Sequence, residues 1–346
     1  MAQKLVLHVG DCKTGSTILQ TMLGNGDCRP ERLRLFTPGN GVHGALARSL
    51  GGRKSLYPGR WQGVARRLDE AEWDVAVLSS ELFEFIRPDA VADALRSNLP
   101  RYFETTTVIA YVRPHMGRAL SQFAENVKLG HETGDFSSFV DRFEKIGRLR
   151  FADRLAAWRE AFGDRLIVRP FMRDRLEKGD VRHDFLTQIL DGDSYALADS
   201  GQDDNASLPL ADLALMRMIQ RRFEAAGDLP DDNRVAFGKQ FGRLLRDLPS
   251  PRPAEKLRLP RTVYDRLYDT CRTDADRMDA EWFGGPCFAP ELEAARDTVT
   301  DAEQSLEAED HFDAETLRLV TAWADLILRQ MRDDPKQFGP RLRAQA

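Results

Sequence analysis

Four short apolar runs alternate with segments of helical periodicity in the N-terminal half of the chain. The runs are rich in β-branched and aliphatic residues, and they occupy residues 5–9, 74–78, 106–112 and 165–169. Polar, glycine or proline residues follow each run, and the next segment carries apolar residues with the spacing of one helix face. Such alternation is typical of βαβ units around a parallel sheet that is buried on both faces. The pattern predicts an α/β fold whose three-layer core contains a central parallel sheet.

The strand pattern ends near residue 199, and the rest of the chain has the periodicity of helices. Helical patterns cover residues 208–223, 234–248, 260–278 and 315–331. A chain of 346 residues is long enough for two domains of about 150 residues, or for one α/β domain with an elaboration. We expect an α/β core over residues 1–195 and a mainly helical C-terminal region over residues 196–346, which packs on the core and forms one structural domain with it.

Charge and cysteine content narrow the class of protein. Lys and Arg number 50 against 55 Asp and Glu, which gives a formal net charge of −5. This balance disfavours a sequence-independent nucleic-acid surface, which needs a net basic face, but it allows a small polyanionic ligand. The four cysteines lack the spacing of a disulfide framework or a zinc site, and no apolar run has the length of a signal peptide or a membrane span. We expect a cytoplasmic protein without a metal, a nucleic-acid partner or a membrane span.

The first predicted strand leads directly into a glycine-containing loop and a helical segment. The loop, residues 10–17, has the sequence GDCKTGST. A loop between a strand and a helix N-terminus directs backbone N–H groups and the helix dipole at an anion. Compared with the nucleoside-triphosphatase loop GxxxxGK[ST], the two glycines and the final threonine match, whereas the lysine position holds Ser16 and Lys13 stands earlier. A lysine in this place lies beside a single phosphate and its leaving group, which suits group transfer from a monophosphate.

A second anion-binding pattern follows the third predicted strand. The strand ends in Tyr111-Val112-Arg113-Pro114, because the residue before a proline favours extended backbone and the proline ring ends ladder pairing. Ser121 follows in the next helical segment, and its hydroxyl and the Arg113 guanidinium are suited to converge on one phosphate. Since the loop at residues 10–17 also follows a strand end, one ligand with two separated anionic groups would explain both patterns.

Together the two patterns resemble those of the sulfotransferases that use 3′-phosphoadenosine 5′-phosphosulfate (PAPS). The segment HVGDCKTGSTILQ is similar to the family's 5′-phosphosulfate loop, usually PKTGTT or PKSGTT, with Cys12 in place of the common proline. The residues Tyr111-Val-Arg113 and Ser121-Gln-Phe123 are similar to its 3′-phosphate signature. The resemblance covers residues 1–195, and the late basic glycine motif of the eukaryotic cytosolic enzymes is not recognisable.

This resemblance implies a P-loop-containing fold, PAPS as the sulfate donor, adenosine 3′,5′-bisphosphate (PAP) as its product, and no metal. It also implies which residues hold the donor. Those implied for the 5′-phosphosulfate are Cys12, Lys13, Thr14, Gly15, Ser16 and Thr17, and those for the 3′-phosphate are Arg113 and Ser121.

Sulfuryl transfer is an in-line displacement that needs a cation at the leaving oxygen and a general base for the acceptor. Lys13 is the candidate cation. Glu81, in the segment LSSELF after the second predicted strand, resembles a residue of bacterial carbohydrate-type sulfotransferases and is one candidate base. His43 resembles a histidine of the same proteins and is the other candidate, since an ordinary histidine pKa of about 6.5 suits a base. The two could act together, and a further residue such as His115 stays open.

The expected function is therefore transfer of a sulfuryl group from PAPS to a hydroxyl or amine of a glycan, a glycolipid or another small acceptor. One alternative is a P-loop phosphotransferase that uses ATP and Mg²⁺. Another is a non-catalytic nucleotide-binding or adaptor protein on the same fold. No motif identifies the acceptor, because the shape of the pocket decides it.

Overall fold

The computed structural model describes residues 3–51, 59–198, 207–227, 229–250 and 254–344. The strands are β1 (Lys4–His8), β2 (Cys28–Pro30), β3 (Leu35–Phe36), β4 (Val75–Ser79), β5 (Thr107–Val112), β6 (Leu166–Pro170) and β7 (Tyr195–Leu197). The helices up to residue 189 are α1 (Ser16–Asn25), α2 (Gly44–Leu50), α3 (Arg60–Glu70), α4 (Pro88–Asn98), α5 (Pro100–Phe103), α6 (His115–Leu129), α7 (Phe136–Lys145), α8 (Phe151–Phe162) and α9 (Val181–Ile189). Those that follow are α10 (Leu210–Ala225), α11 (Asp231–Asp247), α12 (Arg261–Met278), α13 (Phe288–Ala295), α14 (Ala314–Asp333) and α15 (Phe338–Ala344).

The chain divides into two compact units. The first consists of Met1–His115, Arg150–Asn205 and Arg272–Glu291, and the second of Met116–Leu149, Ala206–Cys271 and Leu292–Ala346. The boundary at residue 195 stays a prediction.

The first unit contains a five-stranded sheet with the order β3-β4-β1-β5-β6. All of its neighbouring strands are parallel, and β1 lies between β4 and β5. The prediction of a central parallel sheet flanked by helices is confirmed. The four strands expected from the apolar runs are β1, β4, β5 and β6, each within one residue of the predicted bounds. The strands β2, β3 and β7 were not predicted, because strands of two or three residues are too short to show a period.

Both faces of this sheet are covered. Val6, Val77 and Ile109 lie in one apolar cluster with residues of α1 and α9, among them Leu19 and Phe185. The alternate residues of the same strands, such as Leu5, Leu7 and Leu78, are also fully buried. Helices on both sides of a parallel sheet explain why the strands appear in the sequence as nearly continuous apolar runs.

The second unit is helical over the residues that the structure describes. The predicted helices at 208–223, 234–248, 260–278 and 315–331 correspond to α10, α11, α12 and α14, whose ends differ from the prediction by up to three residues. Of these, α12 continues into the first unit from Arg272 onward. In α11, a β-carbon at Gly238 would stand 1.9 Å from the Lys128 carbonyl oxygen, so a glycine is required where the helix approaches this backbone.

None of the helices in the described ranges combines the length and apolar character that a membrane span requires.

A fully buried carboxylate, Asp184, ties together β5, β6 and α9. It accepts hydrogen bonds from Tyr111 Oη at 2.7 Å and from the Arg169 guanidinium at 2.6 Å and 3.0 Å. Burial, followed by the charge of Asp184, raises the pKa of Tyr111 far above its ordinary value. The tyrosine therefore stays a donor, and the Asp184 carboxylate is satisfied inside the core.

We expect Asp184→Ala to lower the free energy of unfolding by about 3 kcal/mol, because it leaves the Arg169 guanidinium and the Tyr111 hydroxyl without their acceptor. The matched control is Glu72→Ala, which removes the carboxylate of an exposed pair with Arg34 and should change stability by less than about 1 kcal/mol. Urea denaturation of both variants measures the difference. Equal effects would show that Asp184 contributes no more than a surface acid.

Candidate functional site

The loop at residues 10–17 lies at the carboxyl end of β1. Its first part continues the pairing with β5, since Val9 N–H donates to the Ile109 carbonyl and Asp11 N–H donates to the Tyr111 carbonyl. The backbone then enters the left-handed region at Lys13, with φ 69°, and at Gly15, with φ 81°. Gly15 is the N-cap of α1, and no side-chain hydrogen bond from the described residues caps this helix. The N–H groups of the first helical turn therefore face the loop.

The hydroxyl side chains of the loop lie in three different environments. Thr14 is fully buried, and its hydroxyl donates to the Asp11 carbonyl at 2.6 Å, which closes the turn. Ser16 is 6% exposed, and within the described ranges its Oγ has no hydrogen-bond partner. Thr17 is exposed in the first turn of α1. Of the three, Ser16 leaves a buried polar atom that an anion at the helix N-terminus would satisfy.

Phe171 brings the two sequence patterns together. It directly follows β6, and its N–H donates to the Val112 carbonyl at the end of β5. A β-carbon at Gly15 would stand 3.1 Å from Cε2 of Phe171, and the Arg113 guanidinium lies 5.1 Å from the centre of the same ring. The loop at residues 10–17, named the phosphate loop after its predicted ligand, and the strand-end Arg113 therefore border one aromatic side chain. Ser121 is half-buried in α6 and belongs to the second unit, so its convergence with Arg113 stays a prediction.

Glu81 begins a 3₁₀ helix, Glu81–Phe85, directly after β4. Its side chain is half-buried, and its Oε2 accepts a hydrogen bond of 3.0 Å from Gln20 Nε2. Gln20 belongs to α1, the helix that the phosphate loop begins. A side chain of α1, the helix whose N-terminus faces the predicted anion site, therefore holds the carboxylate of Glu81.

His43 lies close to Ser79 but uses both ring nitrogens for backbone hydrogen bonds. Nδ1 accepts the N–H of Ser79 at 3.1 Å, so in the neutral ring Nε2 carries the proton and donates to the Pro38 carbonyl at 2.9 Å. Burial lowers the pKa of His43. The ring is thereby a neutral connector between β4 and the segment before α2.

His115 is 1% exposed and contacts Asp274 through Nε2 at 2.9 Å. The same carboxylate accepts the N–H groups of Phe151 and Ala152 at the start of α8. Asp274 therefore joins the beginnings of α6 and α8.

Three side chains in or beside the loop were not predicted from the sequence: Asp11 and Glu84, which are buried, and Arg154, whose side chain is 16% exposed. Arg154 donates two hydrogen bonds to Asp11, at 2.5 Å and 2.8 Å, across 143 residues of sequence. Glu84 Oε2 accepts the N–H of Cys12 at 2.9 Å. An acid within a loop that is predicted to bind an anion indicates that a cation lies nearby to neutralise the acid. Sequence spacing cannot show which of the many arginines, here Arg154, supplies that cation.

His8 lies beneath the loop as the last residue of β1. Its Nδ1 is 2.8 Å from Ser79 Oγ, while Nε2 is buried without a hydrogen-bond partner in the described part of the chain. A β-carbon at Gly10 would stand 2.7 Å from that Nε2, so a glycine is required here. Complete burial lowers the pKa of His8 to about 4.

Across the described ranges, no group of three or more His, Cys, Asp or Glu side chains is arranged to hold a metal ion. The expectation that the reaction needs no metal stays a prediction.

No protein-family model matches the chain, and no curated protein matches it in sequence. Among solved structures, the chain is similar to the crystal structure of a sulfotransferase from Alicyclobacillus acidocaldarius. The similarity covers 86% of this chain and 100% of that chain, with a TM-score of 0.45 and 14% sequence identity. At this degree of similarity, the fold and the site of this chain rest on its own strand order and contacts.

The low pKa of His8 makes stability depend on pH. Unfolded His8 takes up a proton as the pH falls through about 6.5, whereas the folded side chain stays neutral until about pH 4. Stability present at neutral pH is therefore lost on acidification, by about 2 kcal/mol between pH 7 and pH 5 from this group. Between pH 7 and pH 5, we expect the free energy of unfolding of His8→Leu, measured by urea denaturation, to fall by about 2 kcal/mol less than that of the wild type. Parallel losses in the two proteins would contradict this assignment.

Proposed function

We propose that this protein is a sulfotransferase that uses PAPS and transfers a sulfuryl group to a hydroxyl or amine of a glycan, a glycolipid or another small acceptor. The observation that carries the proposal is that Phe171 borders both Gly15 and Arg113, since a β-carbon at Gly15 would stand 3.1 Å from its ring and the Arg113 guanidinium lies 5.1 Å from the ring centre. It gives the phosphate loop and the strand-end arginine a common border, as one ligand with two anionic groups requires. Both groups follow carboxyl ends of parallel strands, where ligands of open α/β sheets bind.

The loop fits the 5′ end of such a ligand. The first turn of α1 offers backbone N–H groups, and Ser16 Oγ is a buried polar atom without a partner among the described residues. Thr17 adds an exposed hydroxyl in the same turn. When bound, PAPS supplies the sulfuryl group that the acceptor receives. The loop binds and orients the anion, and the helix dipole adds positive potential.

Lys13 is assigned to the leaving oxygen. Its left-handed backbone places it within the loop, before the helix begins, and its side chain is half-buried. An ammonium group at this position stabilises negative charge that develops as the bond to the leaving group breaks. Arg113 is assigned to the 3′-phosphate, which a guanidinium binds through paired hydrogen bonds. The Ser121 hydroxyl is the second group of that assignment.

Glu81 is assigned the role of general base, which takes the proton of the acceptor. One carboxylate oxygen is oriented by Gln20, and the half-buried side chain stands on the segment after β4. A carboxylate so held can take the proton from an acceptor hydroxyl or amine at its other oxygen. We favour Glu81 over His43, because the Nδ1 lone pair of His43 already accepts the Ser79 N–H and its other nitrogen carries a proton.

Binding of PAP tests the donor assignment. We expect calorimetry to give a micromolar dissociation constant for the wild type and an affinity about 10- to 100-fold weaker for Arg113→Ala, which loses a charge-assisted contact to phosphate. The matched control is Arg96→Ala, since Arg96 also lies over an aromatic ring, that of Phe103, which precedes β5. PAP binding that is absent in the wild type, or unchanged in Arg113→Ala, would refute the PAPS proposal. ATP with Mg²⁺ in the same titration tests the phosphotransferase alternative.

Transfer of radiolabelled sulfate from PAPS to a panel of hydroxyl and amine acceptors tests the base. We expect Glu81→Gln to lower kcat by about 10²- to 10⁴-fold while PAP affinity stays within about twofold, because the amide cannot take a proton. His43→Gln should not reproduce this separation of rate from binding. Full turnover in Glu81→Gln would overturn the assignment of Glu81, and wild-type binding without turnover on any acceptor would favour the non-catalytic alternative.

A further inference from the structure

The phosphate loop contains an acid, Asp11, between the end of β1 and Lys13. Its side chain is fully buried, so water does not screen its charge. In the protein interior, an uncompensated carboxylate repels a bound anion much more strongly than it would in water. A loop built to hold an anion therefore needs a cation that cancels the charge of Asp11.

Arg154 is that cation. Its two terminal nitrogens donate to the two carboxylate oxygens of Asp11 at 2.5 Å and 2.8 Å, which is the paired geometry of a guanidinium with a carboxylate. The Arg154 side chain is 16% exposed. Burial alone lowers the pKa of Arg154, but the charges of Asp11, Glu84 and Asp274 outweigh it and raise the pKa. The guanidinium is therefore charged at every physiological pH.

Arg154 is also attracted by the charge of Glu84, a second acid that contacts the loop. Glu84 is 5% exposed and accepts the N–H of Cys12, the residue after Asp11. It also lies on the 3₁₀ helix that begins with Glu81. Arg154 thus faces both acids that hold this part of the loop, and one of them shares a helical turn with the proposed base.

The position of Arg154 is itself determined by the start of α8. Asp274 accepts the N–H groups of Phe151 and Ala152, which anchors the first turn of that helix. The Arg154 guanidinium lies 5.6 Å from the centre of the Phe151 ring. The cation therefore reaches the loop from an anchored helical turn, which lowers the entropy cost of its ordered geometry.

We propose that Arg154 is a positioning residue of the phosphate loop, which neutralises Asp11 and holds the loop in the conformation that receives an anion. The inference rests on the proposed function, because it assigns Arg154 to the anion site described above. It extends that function by naming a residue that lies far from both sequence motifs and that acts through Asp11 and Glu84.

The role of Arg154 differs from that of an ordinary structural ion pair in one measurable respect. If the pair served only stability, removing either partner would weaken the loop and its ligand binding alike. If Arg154 cancels the charge of Asp11, loss of the arginine should weaken anion binding, whereas loss of both charges should restore it. The two single variants therefore separate the roles, because a structural pair would lose binding when either partner is removed, and the double variant checks that the loss in Arg154→Met comes from the uncompensated Asp11.

The experiment measures calorimetric binding of PAP and of inorganic pyrophosphate to the full chain. Arg154→Met should weaken both affinities about 10- to 100-fold, because one buried carboxylate is left uncompensated beside the anion. Asp11→Asn should bind at least as tightly as the wild type, and the double variant Asp11→Asn/Arg154→Met should bind within about threefold of it. The matched control is Arg277→Met, which breaks an ion pair with Asp153 in the same turn of α8 and should leave both affinities unchanged.

Three results would overturn the inference: unchanged affinity in Arg154→Met, a double variant that binds as weakly as a weakened Arg154→Met, or an Asp11→Asn variant weakened more than about tenfold. If Arg154→Met does not fold, as judged by circular dichroism, the other two variants still decide the matter. A wild type that binds pyrophosphate but not PAP refutes the PAPS proposal, while the same variants still test Arg154 on pyrophosphate. A wild type that binds neither probe refutes both.

Discussion

Parallel pairing of β1 with β4 on one side and β5 on the other is the constraint on which the site depends. The register aligns His8 with Ser79 and with Ile109, so the segments that follow these strands emerge at one edge of the sheet. Those segments carry the phosphate loop, Glu81 and Arg113. A parallel sheet leaves polar backbone groups at the carboxyl ends of its strands, and connections there can bind ligands without disturbing the buried core.

Two buried carboxylates, each paired with a partly exposed guanidinium, serve different purposes in the first unit. Asp184 with Arg169 lies against the core strands and joins them to α9. Asp11 is a residue of the loop, and its pair with Arg154 joins the loop to α8. Burial of an ion pair adds little stability by itself, because desolvation offsets the attraction, but losing one partner is costly. Each pair therefore favours one arrangement of segments: α9 against β5 and β6 for Asp184, and α8 against the loop for Asp11.

The contrast between Glu81 and His43 illustrates how tertiary contacts assign roles to residues that the sequence leaves equivalent. Both stand near β4, and either residue type can act as a base. Glu81 meets a side chain of α1, whereas His43 meets the backbone at Ser79 and Pro38. A histidine whose two nitrogens are both hydrogen-bonded to backbone has neither nitrogen left to accept a proton, whereas the proposed role of Glu81 uses the carboxylate oxygen other than the one that Gln20 binds.

The sequence by itself determined the α/β class, four of the strands and the loop that begins α1, because these depend on local periodicity and on glycine, proline and lysine placement along a few consecutive residues. Contacts between distant segments were decided only by the tertiary structure. Arg154 reaches Asp11 across 143 residues, and Phe171 meets Gly15 and Arg113 because β6 lies beside β5. No local pattern encodes such pairings, since they arise from strand order and from the burial of charge, which exist only once the sheet has formed.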